Sequence, residues 1–307
     1  MQLQIESLKN QYLEFCQYHK KLDPKTLKVY KIDVQQFQDY LNAQKNSSIK
    51  ETLSNYIKFL NTIYKPKTVK RKIASLKAFF NYLVYENHIE QNPFNKIPTN
   101  IKEPVLLPKT IPLSIIEKLL THAYSIKNDN SLTNHQKKCI IRDIAIIETL
   151  FATGIRVSEL SHIKPTDIDL LSHSIKIYGK GSRERIIYIE NPTIISLLEE
   201  YKKQYQEKIE ETGFFFINNW GNRCSDQSIR NIIRKHTSQI DCSLDITPHM
   251  FRHTFATLLL EGNVDIRYIQ NFLGHSSIST TQIYTHLSSS KLKEILANKH
   301  PRNKLTF

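Results

Sequence analysis

The chain has 307 residues, enough for about two ordinary domains at roughly 150 residues each. Hydrophobic residues make up 40% and aromatics 10%, too much apolar mass for a disordered chain. With 43 Lys+Arg against 29 Asp+Glu the net charge is +14, which points to a polyanion partner, nucleic acid being the usual one. No apolar run approaches the roughly 18 residues of a membrane span, and the start MQLQIESLKN lacks the basic and apolar regions of a signal peptide. Cys16, Cys139, Cys224 and Cys242 are far apart and form no CxxC pair, so they read as reduced thiols of a cytoplasmic protein.

In chain order, residues 1–153 contain no glycine, which favours helices joined by polar turns over hairpins. Segments near 3–20 and 49–63 read as helices. Between and after them, Leu27, Tyr30, Val34, Phe37 and Leu41, then Val69, Ile73, Leu76, Phe80 and Leu83, form two apolar stripes at helical spacing. Residues 1–92 are therefore expected to form a four-helix domain. Residues 1–100 hold 16 Lys+Arg and 8 Asp+Glu, and the run Lys65, Lys67, Lys70, Arg71, Lys72 and Lys77 contains no acid. A solvated face usually mixes the signs, so this run reads as a phosphate-backbone contact.

Pro93, Pro98, Pro104, Pro108 and Pro112 mark a semi-rigid linker over 93–112. The polar stretch 124–139 reads as a long loop to which the sequence assigns no role. Beyond it, 141–153 and 191–210 read as helices. Ser174–Tyr178 and Arg185–Ile189 flank Gly179-Lys180-Gly181-Ser182 as a hairpin, and Phe214–Ile217 is expected as a third strand. Helical stretches follow at 225–240, 249–261, 264–273, 277–286 and 289–298. The fold class is mainly α (α+β): a helical domain, then a mostly helical domain over 113–307 with a small antiparallel sheet.

Four polar groupings could carry chemistry. Arg156 follows Gly154 in Ala-Thr-Gly-Ile-Arg-Val-Ser-Glu-Leu, and Lys180 stands between two glycines at the hairpin tip. His249 and Arg252, three apart, share one helical face and can meet a single anion. His249 and His253 have the spacing of a zinc pair, but no glutamate follows His249 and no third ligand stands at a recognisable distance. His275 precedes Tyr284 by nine positions in Leu-Gly-His-Ser-Ser-Ile-Ser-Thr-Thr-Gln-Ile-Tyr-Thr-His. Tyrosine is a poor nucleophile at its ordinary pKa of about 10, yet cations beside it favour the phenolate and stabilise charge developing on a phosphate. Two arginines, a lysine, two histidines and a tyrosine together suit phosphoryl transfer. The sequence has no P-loop, no acidic cluster for magnesium and no GxSxG.

In this order, with ATGIRVSEL, GKGSRER, TPHMFRHTFAT and LGHSSISTTQIYTH as they stand, the chain resembles the tyrosine recombinase (integrase) family over nearly its whole length, and most of all its two-domain, Xer-type branch. The resemblance implies a core-binding domain, a catalytic domain and site-specific recombination without metal, cofactor or ATP. Tyr284 would be the nucleophile, giving a 3′-phosphotyrosyl bond and a free 5′-hydroxyl. Arg156 and Arg252 would hold the non-bridging oxygens, Lys180 would protonate the leaving oxygen, His249 would act as acid/base and His275 would hydrogen-bond the phosphate. Glu159 would support the site. The partner would be double-stranded DNA with a short inverted-repeat core site, cut and rejoined through a Holliday junction by a homotetramer on two duplexes, or by a heterotetramer with a second recombinase. A helix near 289–298, with Leu292, Ile295 and Leu296 as its apolar stripe, would be exchanged between protomers. The run at 65–77 and Arg230, Arg234 and Lys235 would touch DNA.

Two rivals stay open at this level. One is a catalytically silent DNA-binding relative; the other is a type IB topoisomerase-like enzyme that nicks and reseals one duplex. Plasmid or chromosome dimer resolution and mobile-element integration or excision are both compatible with the motifs. Core-binding helices that begin near residue 3 leave no room for an arm-binding domain and lean toward a recombinase of short core sites.

Overall fold

Two units, Met1–Leu106 and Leu107–Phe307, each close around a core of their own. The computed structural model describes residues 2–44, 48–102, 109–179, 184–262, 264–274 and 289–305.

Among its described residues the first unit holds four α-helices, α1 (Gln2–Tyr18), α2 (Pro24–Ala43), α3 (Ile49–Ile63) and α4 (Pro66–Tyr85). Proline at the first position opens both α2 and α4, where its missing N–H costs nothing. Val34, Phe37 and Leu41 of α2 and the whole second stripe of α4 are buried, with Tyr12 and Tyr56 filling the space between. One buried carboxylate joins α2 to α4: Asp33 accepts from Lys72 Nζ at 3.0 Å, Ser75 Oγ at 2.7 Å and the Arg71 guanidinium. Of the proline-rich stretch, Pro93–Lys96 is a 3-10 turn whose Phe94 is buried in this same core with Ile97.

The second unit is built around α6 (Asn134–Thr153), whose residues 140–153 are all buried. A helix covered on every side must satisfy its charges internally. Asp143 does so with Arg142, Lys235 and His236, and Glu148 with Arg302 and the Tyr124 hydroxyl. Around α6 lie α5 (Leu113–Lys127), α7 (Val157–Ser161), α8 (Pro192–Thr212), α9 (Asp226–Thr237), α10 (Pro248–Glu261) and α11 (Ile266–Leu273). The sheet is β1 (Ile168–Asp169), β2 (Ser174–Tyr178) and β3 (Glu184–Tyr188), antiparallel throughout, with Ser174 opposite Tyr188 and Tyr178 opposite Glu184. At the C-terminal end α12 (Ser289–Lys299) packs on β3 of its own chain and buries Leu296. The chain then runs on so that His300 Nε2 donates to Ala152 O and Leu305 enters the main core.

Two expectations are corrected. Phe214–Ile217 is not a sheet strand; β1 takes that place. The Tyr201 hydroxyl donates to Phe215 O at 2.9 Å and accepts from Ile217 N at 2.9 Å, which consumes the backbone groups a ladder needs, and Ile217 makes only an isolated bridge to Arg223. Nor is 124–139 one long loop. The helix α5 runs to Lys127, and α6 begins at Asn134 under a reciprocal cap between Thr133 and Gln136. No helix among the described residues is long and apolar enough to cross a membrane.

Candidate active site

The corner at Gly154 sets the site. Here α6 ends in a left-handed residue, φ 59°, and Gly154 N bonds back to Leu150 O at 3.0 Å. A Cβ at this position would lie 2.6 Å from Phe255 Cδ1, so both the backbone and the packing call for glycine. Two residues on, Arg156 caps α7. Its backbone N–H donates to Glu159 Oε2 at 2.9 Å and its Nη1 to Oε1 at 2.8 Å. Burial alone would raise the Glu159 carboxyl, but hydrogen bonds from Arg185 and Arg156 outweigh it and hold the pKa below the ordinary range. The Arg156 side chain keeps 34% of its surface exposed, so its guanidinium is anchored yet reachable.

Arg252 comes to the same corner from α10. It is buried, and it donates from Nη1 to Gly154 O at 2.9 Å and from Nη2 to Leu273 O at 2.6 Å. Burial and the neighbouring Arg156 bring its pKa down to about 10, which still leaves a full cation at neutral pH. His249, one turn earlier and at the surface, is pushed below its ordinary pKa by partial burial and by Arg252, Arg230 and Arg156. His253 shifts the same way through burial, His249 and Arg252. Arg156, Arg252 and His249 thus share one electrostatic environment, with Glu159 the carboxylate inside it. Such a site favours an anion with several oxygens.

Arg185 escaped the sequence reading as a functional residue. It stands second in β3 and binds both oxygens of Glu159, Nη1 to Oε1 at 3.1 Å and Nη2 to Oε2 at 2.7 Å. The only local signal was a second arginine in GKGSRER. Lys180, His275 and Tyr284 lie outside the described residues. The described elements that flank them in sequence are β2, which ends at Tyr178, β3, which begins at Glu184, and α11, which ends at Leu273.

The sequence profile of the Phage integrase family matches residues 116–291, more than half of the chain, and that of the Phage integrase N-terminal SAM-like domain matches residues 10–87. The chain belongs to the phage integrase family. Its members are tyrosine recombinases, enzymes that transfer DNA strands site-specifically. A tyrosine recombinase of Agathobacter rectalis is 52% identical over 96% of this chain and 97% of its own length. Tyrosine recombinase XerD of Listeria innocua is 34% identical over 97% of this chain and 100% of its own. The fold matches the XerH site-specific recombinase bound to palindromic difH substrate in a post-cleavage complex, with TM-score 0.68 and 23% identity over 93% of this chain and 83% of that one.

In this integrase the basic residues read as DNA contacts fall into two groups. Lys65, just before α4, and Lys67, Lys70 and Arg71 on it are exposed, Arg234 is exposed on α9, and Arg230 is half-buried within the field of His249. Arg71 at the same time donates to Asp33, and Lys72, Lys77 and Lys235 each have a partner inside the chain. Lys72 is buried against Asp33 and Gln36, which corrects its reading as a DNA-facing residue: the carboxylate between α2 and α4 needs a cation, and Lys72 supplies it. Lys77 donates to Thr99 Oγ1 at 2.5 Å and lies over the Phe94 ring, and Lys235 reaches Asp143 at 3.1 Å.

Proposed function

We propose that this recombinase cuts and rejoins duplex DNA through a 3′-phosphotyrosyl intermediate at Tyr284. The observation that carries the reading is the corner at Gly154, where Arg252 grips the carbonyl two residues before Arg156 so that two guanidiniums converge beside a histidine held neutral. Two forks can bind the non-bridging oxygens of one phosphate and offset the charge of its pentacoordinate transition state. His249 takes the phenolic proton of Tyr284 as the Tyr284 oxygen bonds to phosphorus. The P–O5′ bond breaks, Lys180 gives a proton to the departing 5′-oxygen, and His275 hydrogen-bonds the phosphate. A 5′-hydroxyl from the second duplex then attacks the phosphotyrosine. One P–O bond replaces another at each step, so no ATP is needed.

Four copies on two duplexes, passing through a Holliday junction, would complete the reaction, and solved relatives include a lambda integrase tetramer bound to a Holliday junction. In that assembly α12, with Ile295 and Leu296, would leave the position it takes on its own chain and pack on a neighbour. Lys65, Lys67, Lys70 and Arg71 would follow the phosphate backbone, with Arg230 and Arg234 from α9.

The test is a nicked suicide duplex carrying a candidate core site, incubated with protein in EDTA and run on a denaturing gel. A covalent adduct from the wild type, absent in Tyr284→Phe although binding persists, is the expected result. Binding without any wild-type adduct would favour the catalytically silent relative. Relaxation of supercoiled DNA lacking a core site would favour the topoisomerase-like reading.

A further inference from the structure

Arg185 sits where three parts of the site meet. In sequence it comes five positions after Lys180, and its side chain is only 8% exposed. Nη1 and Nη2 take one oxygen each of Glu159, while Nε donates to Phe272 O at 2.8 Å in the last turn of α11. Arg252 holds the very next carbonyl, Leu273 O, at 2.6 Å. Two buried guanidiniums therefore grip consecutive carbonyls immediately before Gly274, the last described residue ahead of His275 and Tyr284. Gly274 is itself left-handed, φ 63°, and a Cβ there would meet Arg185 Nη1 at 3.0 Å, so the arginine and the helix end are fitted to one another.

We propose that Arg185 is a positioning residue for DNA strand cleavage, acting through Glu159 on Arg156 and through Phe272 O on the end of α11. The inference rests on the recombinase reading above. Glu159 offers two oxygens. With Arg185 on both, Arg156 needs only Nη1 for Oε1 and keeps the rest of its fork for a phosphate. Without Arg185 the buried carboxylate is left to Arg156 alone, and a bidentate pair between them would spend the charge that the phosphate requires. Arg185 touches no reacting atom in this scheme. Its donors are engaged inside the protein, and its effect reaches the phosphate by way of Arg156.

The experiment compares wild type, Arg185→Ala, Arg185→Lys and the double variant Arg185→Ala/Glu159→Gln. It measures single-turnover adduct formation on the nicked duplex at saturating protein, DNA Kd by band shift, and Tm. Arg185→Ala should cleave on the order of 10²-fold more slowly, the loss expected of a misplaced catalytic group, with Kd near that of wild type. Glu159→Gln in that background should restore part of the rate, because the uncompensated carboxylate that captures Arg156 is gone; a purely structural arginine would not be rescued by losing its partner. Arg185→Lys should lie between wild type and Arg185→Ala. A 5′-bridging phosphorothiolate should leave the defect in place, since the defect concerns the phosphate and not the leaving group. A full cleavage rate in Arg185→Ala, or a double variant slower than the single, overturns the proposal. Should Arg185→Ala fail to fold, Arg185→Lys decides: wild-type cleavage by the folded lysine variant overturns it. Absence of an adduct from the wild type itself would instead bring down the recombinase reading, and this proposal with it.

Discussion

His249 meets the guanidiniums of Arg252, Arg230 and Arg156 while part of its ring is out of water, and burial and repulsion both push its pKa below the ordinary 6.5. The shift favours the neutral ring at pH 7, the form that the proposed proton transfer from Tyr284 requires. The native state gives up its proton more readily than the unfolded chain, so this group's contribution to stability is present above pH 6.5 and is lost as the pH falls below it. The single-turnover cleavage rate, plotted against pH at saturating protein, should have its acid limb below 6.5. Arg230→Ala should move that limb upward, because one of the three repelling cations is removed. An acid limb that stays put would take Arg230 out of the histidine's field, and a rate that rises on acidification would make His249 an acid in this step. The His249–Arg252 spacing was legible in the sequence because both residues lie on one helix turn. Arg185 was not, since its partners Glu159 and Phe272 are 26 and 87 positions away and only the folded chain brings them together.

At the scale of elements, the stripes of α2 and α4 are visible in the sequence because each buries one face and exposes the other. For α6 the buried length over 141–153 reads as a helix, but its polar first turn, Asn134–Lys137, looks like a loop unless the Thr133–Gln136 cap is recognised. Periodicity fails for β1, two residues long, whose pairing with β2 no local period announces. The junctions of these elements carry sharp predictions. Gly154→Ala places a Cβ 2.6 Å from Phe255 Cδ1 at a φ of 59°. Left-handed strain and overpacking together should cost about 2–4 kcal/mol, read as a lower urea midpoint at unchanged m-value, and should slow cleavage as Arg156 shifts. A variant of wild-type stability would mean that Phe255 yields freely. In the first unit Asp33→Ala removes the carboxylate that Lys72 and Ser75 share, leaves the buried Lys72 cation with Gln36 and Ser75 with Arg71 O, and should destabilise that unit by roughly 3–5 kcal/mol. The measurement is local amide-exchange protection in α2 and α4, and undiminished protection would show that Gln36 alone suffices for Lys72.

For the molecule as a whole, the net charge of +14 says that a polyanion is attracted but not which cations do the attracting. The structure separates two kinds of lysine that are neighbours in the chain. Lys65, just before α4, and Lys67 and Lys70 on it stand exposed, while Lys72, two positions further, is buried on Asp33. Binding to a duplex releases counterions, so log K falls linearly with log salt by about 0.9 for each phosphate neutralised. Changing Lys65, Lys67 and Lys70 to Gln should weaken binding and flatten that slope by up to about 0.9 per lost contact, with little change in the stability of the first unit. Lys72→Met should do the reverse. It leaves Asp33 with Arg71 and Ser75, lowers the stability of the first unit, and keeps the slope unaltered wherever the variant remains folded. A slope that drops with Lys72→Met would mean that its ammonium leaves Asp33 for a phosphate when DNA binds. A slope untouched by the triple change would move the phosphate contacts away from α4 and onto cations of the second unit, Arg230 and Arg234 first among them.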